Sequence, residues 1–131
     1  MADRPPRHRD GGTAVVDFVL VMVIVVPLVL GIAQVALIMH VRNVTTAAAS
    51  DGARAASVLD APPGIGKQRA REQIEAAIGD RFLRDIEVSP AEVGGAPGVE
   101  VRVVSEIPAL GLFGPAFTVE VTGHAVSEVE P

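Results

Sequence analysis

Asp17 is the residue of this chain best placed to do ionic chemistry in an unusual setting. It follows Ala14, Val15 and Val16 and stands at the edge of a charge-free run over residues 18–39, FVLVMVIVVPLVLGIAQVALIM. An aspartate costs about 2.5–3.5 kcal/mol at the centre of a membrane helix and less near its edge, so an acid at this edge is a candidate for a functional charge partner. It also has the plain reading of an interfacial residue that stays wet. The other groups that chemistry needs are scattered. His8, His40 and His124 lie far apart and there is no Cys. That excludes a thiolate metal site, a Cys nucleophile and a disulfide, and argues against a His-rich metal site. No nucleophile elbow, P-loop, metal-ligand spacing or dinucleotide fingerprint occurs. His40 falls at the far end of the apolar run, where an amphipathic ring is comfortable. His124 reads as the polar side of a strand, without an evident Ser or acid partner. No catalytic residue, cofactor or metal is expected.

The elements that must position Asp17 begin with that apolar run. The chain has 131 residues, a net charge of -5 and a mean hydropathy of +0.40, and only four Phe with no Tyr or Trp. Little aromatic area and no basic patch argue against a base-stacking or nucleic-acid surface. Residues 18–39 hold one amide, Gln34, and no charge, and a bilayer core needs roughly 20 apolar residues as a helix. A buried core helix would need more protein around it than this chain supplies. A cleaved secretory signal would have a shorter apolar region, about 7–15 residues, with a small-residue site close behind it. Here Ala47-Ala48-Ala49 comes well past the end of the run. Arg4, Arg7 and Arg9 precede the span, against Arg42 and Arg54 after it. Positive residues favour the cytoplasmic side, so the N-terminus is expected inside and the chain from about residue 41 outside. Pro27 lies mid-span and is expected to kink the helix by removing a backbone hydrogen bond. Gly31, Ala33 and Ala36 offer only a weak small-residue contact for another helix.

The stretch from Gly11 to Phe18, GGTAVVDF, resembles the processing region of type IV pilin-like precursors. Those have a short basic leader, a Gly before the cleaved bond, an acid fifth in the mature chain and an apolar helix. The continuation is more similar to TadE-like proteins, pseudopilin-type components of tight-adherence (Flp-type) pilus systems. That family reads R-G-S-A-V-V-E-F, an apolar run, then a small-residue helix ending in G-A-R-A-A. This chain has GTAVVDF at 12–18 and RNVTTAAASDGARAAS at 42–57. The resemblance spans residues 9–58 and departs at Asp17, where the family carries the longer Glu. It implies cleavage by a prepilin-type peptidase after Gly12, Thr13 as the first mature residue, Asp17 as the fifth, and pilin-like subunits as partners. The new amine at Thr13 and the Asp17 carboxylate are four positions apart and share a helix face. Pairing them, within one chain or between neighbours, reduces the cost of burying either charge and favours one axial register. Without processing, Gly11-Gly12 reads as a flexible joint before a helix N-cap at Thr13, with Asp17 suiting the macrodipole.

Beyond Met39 the helical period continues through Val41, Val44, Ala48, Gly52, Ala55 and Leu59, until Pro62-Pro63-Gly64 stops it. One helix over residues 14–59 is roughly 70 Å long. After a linker at 61–66, residues 67–83 read as an amphipathic helix burying Ala70, Ile74, Ala77, Ile78 and Phe82. Three strand-like runs follow, at 85–88 with extension toward 93, at 99–107 and at 117–129. In the last, Phe117, Val119, Val121, Ala125 and Val129 alternate with polar residues, as in a half-solvated antiparallel sheet. Turn signals stand at Gly94-Gly95, Pro97-Gly98 and Gly114-Pro115. The loop over residues 108–115, PALGLFGP, is apolar, and Leu110, Leu112 and Phe113 suit either the core or a contact surface.

The expected fold is an α+β membrane protein. A basic leader at 1–12 precedes a transmembrane helix at 13–40, its extracytoplasmic continuation at 41–60, the linker at 61–66 and a small α+β domain at 67–131. The expected function is a non-catalytic, TadE-like pseudopilin-type component of a pilus or secretion-type assembly in the cell membrane. The alternatives are an unprocessed single-span anchor presenting a small binding domain, and a soluble domain released near Ala49.

Overall fold

The apolar run and the Ala-rich stretch after it join without a break into α1 (Asp10–Ser57). At 1.5 Å per residue it is roughly 72 Å long. The computed structural model describes residues 10–111 and 114–128, so the leader residues Arg4, Arg7, His8 and Arg9, with Leu112, Phe113 and Val129, lie outside the described residues. Two features of α1 differ from expectation. Helix already includes Gly11 and Gly12, which places Thr13 inside it rather than at its cap. The far end falls at Ser57, where the Glu128 amide donates to the Ser57 carbonyl at 2.9 Å and Asp60 takes a left-handed φ of 58°. Leu59, expected on the buried stripe, is outside the helix and exposed.

A short link leads to α2 (Ile65–Ile78), two residues earlier than the amphipathic pattern suggested, and Gly79 ends it with φ 82°. The period reaching from Ile78 to Phe82 had carried the expected helix across that glycine. Phe82 is instead buried from a 3-10 turn (Asp80–Phe82), while Ala77 is exposed. The chain then forms β1 (Leu83–Val93), β2 (Ala96–Ile107) and β3 (Phe117–Val126), an antiparallel sheet in the order β1-β2-β3. Gly94 and Gly95, with φ 61° and 85°, make the two-residue hairpin turn between β1 and β2, a primed geometry that matches the strand twist. Pro97 and Gly98, expected as a turn, belong to β2 and pair with Glu92 and Ala91. Proline is tolerated there because it lies at the start of the strand.

The inner sheet face carries Ile86, Val101, Val103, Ser105, Ile107 and Val121, all buried. It packs on α1 and α2. The buried stripe of α1 is Val41, Thr45, Ala48, Ala49, Gly52 and Ala53, rotated from the stripe the apolar residues alone suggested. Thr45 escapes an apolar count, yet its hydroxyl is satisfied by donating to the Val41 carbonyl at 2.8 Å. Three glycines set the spacing. A Cβ on Gly52 would come 2.6 Å from the Gly66 carbonyl oxygen, and one on Gly66 would come 2.8 Å from both the Gly52 carbonyl and the Ala56 Cβ. A Cβ on Gly123 of β3 would run into the backbone of Ala49 and Ser50.

The outer sheet face is ionic. Arg102 is bidentate to Glu120, with Nε to Oε1 and Nη2 to Oε2 both at 2.8 Å, and Glu87 stands 3.8 Å away on the other side. Arg84 Nε donates to Glu106 Oε2 at 2.8 Å. These hydrogen bonds, with the arginine charges, hold the Glu120 and Glu106 carboxyls below the usual glutamate range. The unfolded chain therefore takes up protons first on acidification. The stabilisation is full above the usual glutamate range and is lost as the pH falls through the lower folded values. A modest drop in the unfolding midpoint of the head, the domain formed by α2 and the sheet on the far part of α1, is expected between neutral pH and about pH 3, modest because the pairs are exposed. Arg102→Gln should flatten part of it, read by circular dichroism of the full chain in detergent.

Candidate assembly site on the N-terminal helix

Gly12, Thr13 and Asp17 lie on the first turns of α1, all exposed. Thr13 and Asp17 are one helical turn apart, the spacing at which side chains on one face meet. No described residue forms an ion pair with Asp17. The helix surface after it is bare. Every residue from Val15 to Ala33 is exposed, although nearly all are large and apolar. Pro27 stands roughly 15 Å further along the axis at 1.5 Å per residue, so it does not share a site with Asp17. α1 is continuous through Pro27, which borders a shallow apolar hollow with Leu28, Gly31, Ile32, Val35 and Ala36.

The glycines of α1 separate into two kinds. Gly52 is needed, because the α2 backbone fills the space of a Cβ. Gly11, Gly12 and Gly31 have nothing within 4 Å of such an atom. Packing among the described residues thus gives no reason for glycine at position 12. Each glycine inside a helix costs about 0.8–1.0 kcal/mol relative to alanine, so the Gly11-Gly12 turn is the part of α1 most easily drawn into an extended strand.

Burial on α1 starts at Gln34 and continues through Leu37 and Ile38, which pack against Val41, Phe82 and Ile107. Gln34 holds the segment after β2. Its Oε1 accepts from the Leu110 amide at 2.7 Å, and its Nε2 donates to the Pro108 carbonyl at 3.4 Å. Sequence reasoning noted Gln34 only as a solitary amide. The partners are 74 and 76 residues away, and only its isolation in an apolar run hinted at a task.

The remaining candidates do not converge. His40 is exposed on α1. His124 has an acid partner that sequence reasoning missed. It pairs across the sheet with Glu100, its Nδ1 3.5 Å from Glu100 Oε2, because the β2–β3 register sets the two opposite each other. Both side chains are solvent-accessible, and among the described residues no serine hydrogen-bonds to either. Among the described residues, no group of three His, Cys, Asp or Glu is placed to hold a metal ion.

Residues 12–54 match a family model described as TadE-like protein. The match begins at Gly12, includes Asp17, and closes at Arg54 within the G-A-R-A-A segment. It covers the bare half of α1 and most of the half packed on the head, and it falls within the stretch where the resemblance was read. The head beyond α1 lies outside it. No curated protein and no solved structure matches the chain.

Proposed function

We propose that this chain, similar over residues 12–54 to TadE-like proteins, is a non-catalytic, single-span, pseudopilin-type component of a pilus or secretion-type assembly, processed after Gly12. The observation that carries the reading is the contrast along α1. From Val15 to Ala33 its apolar surface has no partner among the described residues, and from Gln34 onward one face is covered by the head. Residues 15–33 rise roughly 28 Å, close to the thickness of a bilayer core. Lipid and neighbouring apolar helices are the partners such a surface fits. The arginines of the leader favour an orientation with the N-terminus in the cytoplasm and the head outside the membrane.

In this reading a prepilin-type peptidase draws the Gly11-Gly12 turn into its cleft and releases the leader. Thr13 then carries a free amine one turn from Asp17. The pair sits where the helix enters lipid, and either charge alone is costly there. A subunit docked one register away would leave an amine and a carboxylate unpaired.

Asp17→Ala tests that role. The variant should still insert, as read by its retention in alkali-washed membranes. Its incorporation into the assembly, read by cross-linking to pilin-like partners, should fall about a hundredfold or more, since stranding one member of a buried pair costs about 3–5 kcal/mol. Asp17→Glu keeps the charge and should keep most of the incorporation. Normal incorporation of the alanine variant would remove Asp17 from the mechanism.

A further inference from the structure

We infer that the segment after β2, residues 108–111, is a lipid-contacting foot that seats the head at the outer water–lipid interface. The inference rests on the membrane reading of α1. The bare length of the helix ends at Ala33, and the next residue, Gln34, is the one that holds this segment. A strand that leaves a sheet near lipid has backbone groups with no water to satisfy them, and each costs free energy unless paired. Gln34 supplies both a donor and an acceptor to the backbone at Pro108 and Leu110, which removes that cost at two groups.

Three apolar side chains near this level are exposed. Leu110 is 43% exposed, and Val35 and Met39 on the adjoining turns of α1 are 60% and 51% exposed. Exposed apolar side chains thus occur both on α1 at this level and on the segment that Gln34 holds. Just above, His40 and Arg42 are exposed on the same helix, residue types that suit the headgroup layer. Leu110 differs from the other exposed apolar residues of the head, such as Val88, in that its backbone is held by Gln34, next to the bare length of α1. An outer lipid leaflet covers both Leu110 and that bare length without any further protein.

The chain has no Cys, so single labelling sites are available in the full protein. Leu110→Cys, Val23→Cys and Val88→Cys would each carry an environment-sensitive nitrobenzoxadiazole probe, with the protein reconstituted in phosphatidylcholine–phosphatidylglycerol vesicles. Quenchers would be a lipid nitroxide near the headgroup, one near the acyl terminus, and aqueous iodide. The probe at 110 should lose most of its emission to the shallow nitroxide and little to iodide. The probe at 23 should respond most to the deep nitroxide, and the probe at 88, exposed on the head, only to iodide. If 110 behaves like 88 while 23 is quenched in lipid, the foot is overturned and the span stands. If 110 is shielded from all three quenchers, a second copy or another protein covers it and the lipid assignment is wrong. If 23 also fails to meet lipid, the membrane reading itself falls.

Discussion

Gly123→Val should unfold the head while leaving the apolar helix intact. Residue 123 stands at the centre of β3, opposite Val101, with its Cα laid against Ala49 and Ser50 of α1. The first atom of any side chain would enter the space of that backbone. Neither side can yield cheaply, because β3 is tied to β2 and Ala49 lies within a continuous helix. Overpacking a core costs about 1–3 kcal/mol and occasionally more. Backbone on both sides puts Gly123→Ala near 3 kcal/mol and Val beyond it. A small domain has only about 5–15 kcal/mol in all. The full chain in detergent should lose its cooperative melt by circular dichroism, and trypsin should reach Arg84 and Arg102 in the sheet, while membrane retention is unchanged. A wild-type melt would mean that β3 does not lie on α1 at this distance.

Replacement of Gly12 by Val should stop leader removal. Among the described residues nothing resists a side chain at this position, so α1, the head and membrane insertion should all survive. The effect falls on the peptidase. A β-branched residue crowds the approach to the scissile bond, and displacement of a reacting group by about 1 Å can cost on the order of 10²-fold in rate. In the host, the variant should accumulate as the precursor, resolved from the mature form by gel mobility and intact mass. Gly52→Val would be the contrasting change. It should damage α1–α2 packing and leave the precursor's cleavage bond untouched. Processing of Gly12→Val at the wild-type rate would detach Gly12 from the proposed role.

What could be read from the chain, and what could not, follows from how far apart the interacting residues are. α1 was legible over nearly its whole length because its apolar and small residues are contiguous. β3 was legible from its alternation, and the Gly94-Gly95 turn from its glycines. Gly123 was passed over because an alternation count gives glycine no weight, though it falls in phase with Val119, Val121 and Ala125. A glycine inside a strand marks close backbone approach, and that signal was present. Thr45 hid in the same way, as a polar residue whose hydroxyl is satisfied within its own helix. The ends of α2 were misplaced because residue types on either side of Gly79 keep the helical period while the backbone does not. The tie from Gln34 to Leu110 and the pairing of His124 with Glu100 depend on tertiary contacts and strand register, which no local pattern encodes. At the candidate site, Asp17 and its spacing from Thr13 were legible entirely from local sequence. The bareness of the surrounding helix required the fold.

The central claim is that a leader ending at Gly12 is removed to free an amine one turn from an acid at the membrane edge. N-terminal sequencing of the protein isolated from its native envelope tests it most directly. A sequence starting at Thr13, TAVVDF, is the predicted result. A chain beginning at Met1 or Ala2 would contradict it and leave a tethered ectodomain, and one beginning near residue 50 would mean that the helix is discarded altogether.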